Sequence, residues 1–255
     1  SAALCAAMVS IVVWATAARA FGIPTSESHA LIAGVSGAAI ALNGSISGIS
    51  SEEWIKVLYG LVLSVALGFF SGFIISRITA AICIGKKSGR ANDFFKKAQI
   101  TAAGATAFMH GAQDGQKFIG VLLLGVSVTT QTSSESFDIP LWLTTACSAV
   151  MALGTSAGGY KIIKSVGLDM VRLKRYQGFS ADAAASLCML LSSFAGFPVS
   201  TTHTKTTAIA GAGSAYRLKS VNWGIFKNMM WAWILTFPGC GVIGYFTALW
   251  FIGIF

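Results

Sequence analysis

The 255-residue chain has three histidines, His29, His110 and His203, each set among hydroxyl, amide or carboxylate side chains inside an otherwise apolar stretch. Two of these settings read alike: Gly22-Ile-Pro-Thr-Ser-Glu-Ser-His29 and Gly196-Phe-Pro-Val-Ser-Thr-Thr-His203. A Pro just before a hydroxyl-rich segment suits a helix start, because Pro needs no N–H there and Ser or Thr caps the orphan donors. A helix start in turn binds anions through its N–H groups and partial positive charge, and the short hydroxyls of Ser26, Ser28, Ser200, Thr201 and Thr202 add hydrogen bonds without filling a cavity. The third setting, His110-Gly-Ala-Gln-Asp-Gly-Gln-Lys117, is the densest polar cluster in an apolar stretch. Asp114 is a candidate to coordinate Na⁺ or carry a proton, Gln113 and Gln116 offer amides to ion or substrate, and Lys117 either pairs with Asp114 or attracts the anion. The plainer alternative is that the hydroxyls only cap or join helices and that Lys117 snorkels to a surface with Asp114 satisfying it.

Such clusters need a scaffold, and composition names its solvent. The chain is 55% hydrophobic and 11% charged with mean hydropathy +0.71, against about a quarter charged residues in soluble domains. It reads as an all-α, polytopic membrane protein. Continuous runs rich in Ala, Gly and Leu speak against a β-barrel, whose segments of about 10 residues alternate. Spans are expected at 3–21, 54–78, 139–159 and 223–253. Residues 23–42, 98–130 and 180–216 are each interrupted by one of the three polar settings and are expected as discontinuous helices, a backbone tolerated at membrane depth only around a site. The net charge of +9 does not imply nucleic acid, because most basic residues cluster in 77–97, 161–175 and at Arg217 and Lys219, beside spans, as the positive-inside rule requires. The five cysteines are scattered and form no C-x-x-C, so neither zinc nor a disulfide framework is indicated. The chain opens in an apolar run without a charged region, so no signal peptide is expected and an upstream portion is expected to be missing.

The two Pro-containing settings stand 174 residues apart. An acidic loop, 43–53, follows the first, whereas Arg217 and Lys219 follow the second, so the copies are expected to end on opposite sides. That is an inverted-topology repeat, whose half-helices meet at a midplane substrate site. The division expected is 1–78 for the remainder of the first repeat, 79–97 for a basic cytoplasmic loop and 98–255 for the second repeat, with loop 160–177 cytoplasmic and Gln131–Asp138 external.

The pairing of a Gly-Ala-[Asn/Gln]-Asp-Gly-Gln-Lys segment with Pro-Val-Ser-Thr-Thr-His resembles the inorganic phosphate transporter (PiT) family over nearly the whole chain. The resemblance implies two inverted repeats, each carrying both motif types, and movement of inorganic phosphate with Na⁺ or H⁺ across the cell (plasma) membrane, without a further cofactor; it also implies a homodimer. It assigns Gln113 and Asp114 to the first motif type, and Ser26, Ser28 and His29 with Ser200, Thr201, Thr202 and His203 to the second. The chain departs from the pattern in three ways. The upstream copy of the Asp motif would fall before residue 1; Gln113 stands where Asn is commoner; and Glu27 aligns with Thr201. Arg90-Ala-Asn-Asp93 lies in a basic segment and is expected to cap a helix. A carboxylate beside an anion site needs a cation or proton, so Glu27 joins Asp114 and Gln116 as a candidate coupling group, with Lys205 as its proposed partner.

Two Gly-x-x-x-Gly pairs, Gly68/Gly72 and Gly154/Gly158, are expected to pack helices closely. Competing readings are transport of another oxyanion such as sulfate, a channel, and an intramembrane serine hydrolase built on Gly34-Val-Ser36-Gly37. The hydrolase needs one Ser activated by one oriented His, whereas here Ser and His occur twice. A symporter rather than an enzyme is expected, with phosphate and the bilayer as partners.

Overall fold

The apolar runs fold as helices. The computed structural model describes residues 2–84, 88–130 and 139–254; among them are nine α-helices and no strand. They are α1 (Ala2–Ala20), α2 (Glu27–Asn43), α3 (Ser51–Ile82), α4 (Ser88–Thr130), α5 (Leu141–Gly158), α6 (Tyr160–Lys164), α7 (Arg175–Ala195), α8 (Thr201–Ser214) and α9 (Trp223–Ile254). Helices α1, α3, α5, α7 and α9 are long and apolar enough to cross a bilayer. At 32 residues each, α3 and α9 reach about 48 Å at about 1.5 Å per residue, well beyond a hydrocarbon core of about 30 Å.

Three expectations change. Residues 98–130 are not broken: α4 is one continuous helix of 43 residues. Its polar middle holds Gly111 and Gly115 but no Pro, and a Gly in a helix interior costs only about 1 kcal/mol against Ala, too little to stop propagation from both sides. The segment 79–97, expected as a loop, is helical over 79–82 and 88–97, and Asn92 lies inside α4 and caps nothing there. The segment 160–177 is likewise ordered: α6 runs into a π-helical turn, Ser165–Met170, after which Val171 bridges Val221 in antiparallel fashion and Asn222 N–H donates to the Met170 carbonyl (2.8 Å). The expected external loop Gln131–Asp138 lies outside the described residues.

The other two breaks are present and are built alike. Gly22 and Gly196 both take φ of +69°, a left-handed conformation in which a Cβ is unfavourable. After α1, Gly22 N–H donates to the Arg19 carbonyl and Ile23 N–H to Ala18; after α7, Gly196 N–H donates to Ser193 and Phe197 N–H to Ser192. This paired 5→2 and 6→1 arrangement is the Schellman stop, which satisfies carbonyls the helix end would leave bare. The helices that follow begin at Glu27 and Thr201 with Ser26 and Ser200 as N-caps. Pro24 and Pro198 therefore precede the caps by two residues rather than occupying the first helical turn, and keep the connecting segment extended. The order recurs helix by helix: α1, α2 and α3 start 172–174 residues before α7, α8 and α9.

Two compact units form, and each takes helices from both halves of this order. The first comprises residues within 1–52, 112–161 and 231–255, and the second 53–111 and 162–230. In the first, α1, α2 and the C-terminal part of α9 pack at short range. Gly34 faces Ala7 and Ser10, Gly37 lies against the Gly241 carbonyl, Gly244 lies against the Gly34 carbonyl, and Ala6, Ala38 and Ala248 form a fully buried cluster. Trp14 covers Gly239 and donates its indole N–H to Thr236 Oγ1 (3.1 Å). In the second unit, α3 lies along α8: Gly68 meets Thr204 and Thr207, Gly72 meets Ala208, and Gly211 meets the Phe69 carbonyl. Small residues at such crossings let backbones approach, which is how helices gain contact where lipid removes the hydrophobic drive.

The Gly68/Gly72 pair is thus a packing motif, but among the described residues Gly154 meets nothing within 4 Å and Gly158 meets the Arg19 side chain alone. Helix α5 has no buried residue, and its apolar side chains such as Trp142 and Val150 lie outward, as suits a lipid-facing helix. Accordingly, Gly72→Leu should abolish a monodisperse peak in detergent size-exclusion chromatography, because the added side chain meets the Ala208 backbone, whereas Gly154→Leu should elute and melt within about 1 °C of the wild type.

Candidate functional site

In the first unit, the start of α2 and the middle of α4 supply a small pocket. Ser26 is buried and its Oγ accepts from the His29 N–H (3.4 Å). The connecting segment ahead of it is anchored by Trp233 of α9, whose indole N–H donates to the Pro24 carbonyl (2.7 Å). The first turn of α2 begins with Glu27 and Ser28. These two residues line the pocket with Asp114 and Lys117, and Leu31 and Phe118 give it an apolar wall.

Helix α4 explains why the polar residues meet there. His110, Asp114 and Lys117 follow at spacings of four and three and so share one face of a continuous helix. Asp114 is 6% exposed, and a buried carboxylate requires a cation or proton to offset its desolvation. Lys117 provides the charge: its Nζ donates to Asp114 Oδ1 at 2.9 Å and to Ser28 Oγ at 2.7 Å. Of the remaining expected residues, Gln113 and His110 are half-buried, Gln116 is exposed, and Glu27 is exposed within the pocket wall. His29 is buried with its ring 4.9 Å from that of Phe237, so its imidazole packs on α9.

The second unit builds the matching helix start. Ser200 is buried, its Oγ accepts from the His203 N–H (3.3 Å), and its own N–H donates to Ser64 Oγ (2.8 Å), which donates on to the Gly60 carbonyl (2.6 Å). Gly60 itself lies against the Pro198 carbonyl. In both units, therefore, the Pro carbonyl and the capped turn are backed by the long helix that starts after the break in the other half of the order: α9 for Pro24, α3 for Pro198. Thr201 and His203 are buried and Thr202 is half-buried.

One expected pairing is corrected. Lys205 makes an ion pair with Asp182 of α7 rather than serving as the partner proposed for Glu27. Thr106 of α4 donates to the Asp182 carbonyl (2.9 Å) and shares a hydrogen bond with Ser186 (2.8 Å), so α4, α7 and α8 are joined by polar contacts within this unit. Asp182 was missed by sequence reasoning, although it is the one carboxylate in the apolar run of α7 and ionisable residues in spans call for a partner. Ser64 and Trp233 were also missed; each sits in a long apolar run and carries no signal until its neighbour is known.

Among the described residues, no group of three or more His, Cys, Asp or Glu is placed to hold a metal ion. Ser36, the nucleophile of the hydrolase alternative, sits inside α2. A helix interior gives it neither the strained turn that exposes a nucleophile nor the oxyanion donors that acyl transfer needs.

Similarity to known proteins decides the class. The model of the phosphate transporter family matches residues 1–244. The chain belongs to that family. It is 36% identical over 249 residues to a protein of Bacillus subtilis (strain 168) named probable low-affinity inorganic phosphate transporter, covering 96% of this chain and 74% of the relative. A protein of the same name from Rhizobium meliloti (strain 1021) is 33% identical over 246 residues, covering 95% and 73%. A solved structure described as the sodium-dependent phosphate transporter superposes with a TM-score of 0.80 at 20% identity, over 99% of this chain and 80% of that one; at that identity it supports the fold. The family is one of transporters and not of enzymes, and the chain is a multi-pass protein of the cell membrane.

The Asp182–Lys205 pair makes a stability prediction. Removing either charge leaves the other in apolar surroundings, so Asp182→Asn and Lys205→Met should each lower the unfolding temperature in detergent. The double variant should recover part of the loss, with a coupling on the order of 1–3 kcal/mol in a double-mutant cycle.

Proposed function

We propose that this transporter is a symporter that carries inorganic phosphate with Na⁺ or H⁺, from inverted repeats comprising residues 1–78 and 98–255. The observation that carries the reading is the break built twice: a Schellman stop at Gly22 and Gly196, an extended segment at Pro24 and Pro198, and a capped restart at Ser26 and Ser200. Each restart offers an anion its first N–H groups and the partial positive charge of a helix end. Ser26, Ser28, Gln113, Ser200, Thr201 and Thr202 are the phosphate ligands of this reading. Asp114, Glu27 and Gln116 take the coupling cation, and His29, His110, His203 and Lys117 support them. Family membership and the names of the relatives support phosphate as the substrate.

The same chemistry separates phosphate from sulfate. Monohydrogen phosphate carries a proton that a carboxylate accepts, and sulfate at neutral pH carries none, so an acidic site that accepts this hydrogen bond disfavours sulfate.

The test is uptake of radiolabelled phosphate into proteoliposomes holding the full-length protein, with Na⁺ and proton gradients imposed separately. Uptake should be driven by one of the two gradients and should be unaffected by a tenfold excess of sulfate. Asp114→Asn and Ser200→Ala should each lower the initial rate at least tenfold. Wild-type rates in both variants would remove these residues from the site.

A further inference from the structure

The pocket at the start of α2 brings together two carboxylates, Glu27 and Asp114, one hydroxyl, Ser28, and one ammonium, Lys117. The oxygens of Asp114 and Ser28 come from different helices, and the Lys117 nitrogen sits between them at 2.9 and 2.7 Å. A carboxylate and a neutral oxygen converging on one point form the hard-oxygen environment that small cations favour. An ammonium is a compact point charge with three donors, able to fill such a point when a side chain delivers it.

We infer that Lys117 is a built-in cation: its ammonium occupies the position between Asp114 and Ser28, so that transport by this protein does not draw on Na⁺ there. The inference rests on the phosphate-transport reading and narrows the coupling described for it. Delivery is cheap, because Lys117 lies three residues after Asp114 on the same face of an unbroken helix, and a tethered group acts at an effective concentration that a free ion in the medium has to match. Charge balance points the same way. Glu27 and Asp114 bring two negative charges and Lys117 one positive, and the start of α2 adds about half a positive charge. These three side chains and the helix start together carry about half a net negative charge, against about one and a half without Lys117. The ring of His29, the next side chain along α2, is stacked toward Phe237.

The continuity of α4 matters to this assignment. Were the helix broken at Gly111–Gly115, unwound carbonyls would be available to a cation, as in transporters with discontinuous helices. With the helix intact, those carbonyls are committed to the ladder, and of the side-chain oxygens that line the pocket Lys117 engages Asp114 Oδ1 and Ser28 Oγ.

The test compares wild type, Lys117→Gln and Lys117→Arg of the full-length protein in two assays, with Na⁺ replaced by N-methylglucamine at constant ionic strength. In the first, radiolabelled phosphate uptake into proteoliposomes is measured. Wild type should change less than twofold on removing Na⁺, whereas Lys117→Gln should fall at least tenfold without Na⁺ and rise again with it; Lys117→Arg should stay closer to wild type. In the second, thermal unfolding in detergent is followed as Na⁺ is titrated without phosphate. Wild type should not shift, and Lys117→Gln should be stabilised by Na⁺. A wild type that loses uptake tenfold without Na⁺, or is itself stabilised by Na⁺, overturns the assignment, as does a Gln variant equal to wild type in Na⁺-free medium. Should the Gln variant not fold, the wild-type response to Na⁺ decides alone. Should the wild type take up no phosphate in any medium, the substrate reading fails, while the Na⁺ titration still decides the role of Lys117.

Discussion

Hydrocarbon offers a backbone no hydrogen-bond partners, so a chain that ends a helix and starts another within the membrane has to satisfy every group the interruption exposes. The architecture follows from how this chain meets that demand twice. A glycine in the left-handed conformation returns two N–H groups to the carbonyls of the ending helix, a proline keeps the next residues extended and removes one donor, and a serine takes up an N–H of the helix that begins. The first turn of the new helix carries N–H donors and the partial positive charge of a helix end, the backbone arrangement that anions favour.

The extended segment of each break is backed from elsewhere in the chain, and the two halves do this by different means. Trp233 reaches in with an indole N–H to the Pro24 carbonyl, whereas at Pro198 the backbone of α3 comes close at Gly60 and Ser64 ties the capping residue down. One solution uses a large side chain and the other the absence of one. Both are delivered by a long helix from the other half of the repeated order, so neither break is supported by the segment that contains it. Compact units that interleave in sequence are the result, and a cut between the two halves of the recurring helix order would strip both breaks of their backing.

Much of this was legible in the sequence. Four spans, two breaks and the N-cap positions of Ser26 and Ser200 follow from apolar length and from the pairing of Gly, Pro and Ser at fixed spacing, because these depend on local backbone chemistry. The error at residues 98–130 has an equally physical origin. A polar run with two glycines looks like a break when lipid is assumed on every side, but polar residues at helical spacing along one face need only one polar neighbour, and Ser28 supplies it for Lys117. The signal that separates the cases is a glycine two residues ahead of a proline: Gly22 with Pro24 and Gly196 with Pro198 mark the two true breaks, α4 has no proline between Ser88 and Thr130, and Pro238 leaves α9 unbroken. What stayed hidden were the pairings across long separations: Asp182 with Lys205, Ser64 with Ser200 and Trp233 with Pro24. A single chain records that such groups exist, but not which other helix faces them.

The same contrast bears on how charge is handled in the two units. Each places a lysine near a restarting helix, where the partial positive charge of the helix end disfavours it, and each pairs it with a carboxylate: Asp114, three residues before Lys117 on α4, and Asp182 of α7 for Lys205 of α8. The lysines themselves are placed differently. Lys205 belongs to α8 and lies one turn past its first residues, so its pairing with α7 fixes the restarting helix from within. Lys117 belongs to α4 and approaches the start of α2 from outside, touching Ser28 in its first turn. A cation held on a separate helix is sensitive to any displacement between that helix and the anion end, whereas one on the same helix is not. The two restarts thus differ in where the positive charge is anchored, and they differ again at Glu27, which has Thr201 as its counterpart.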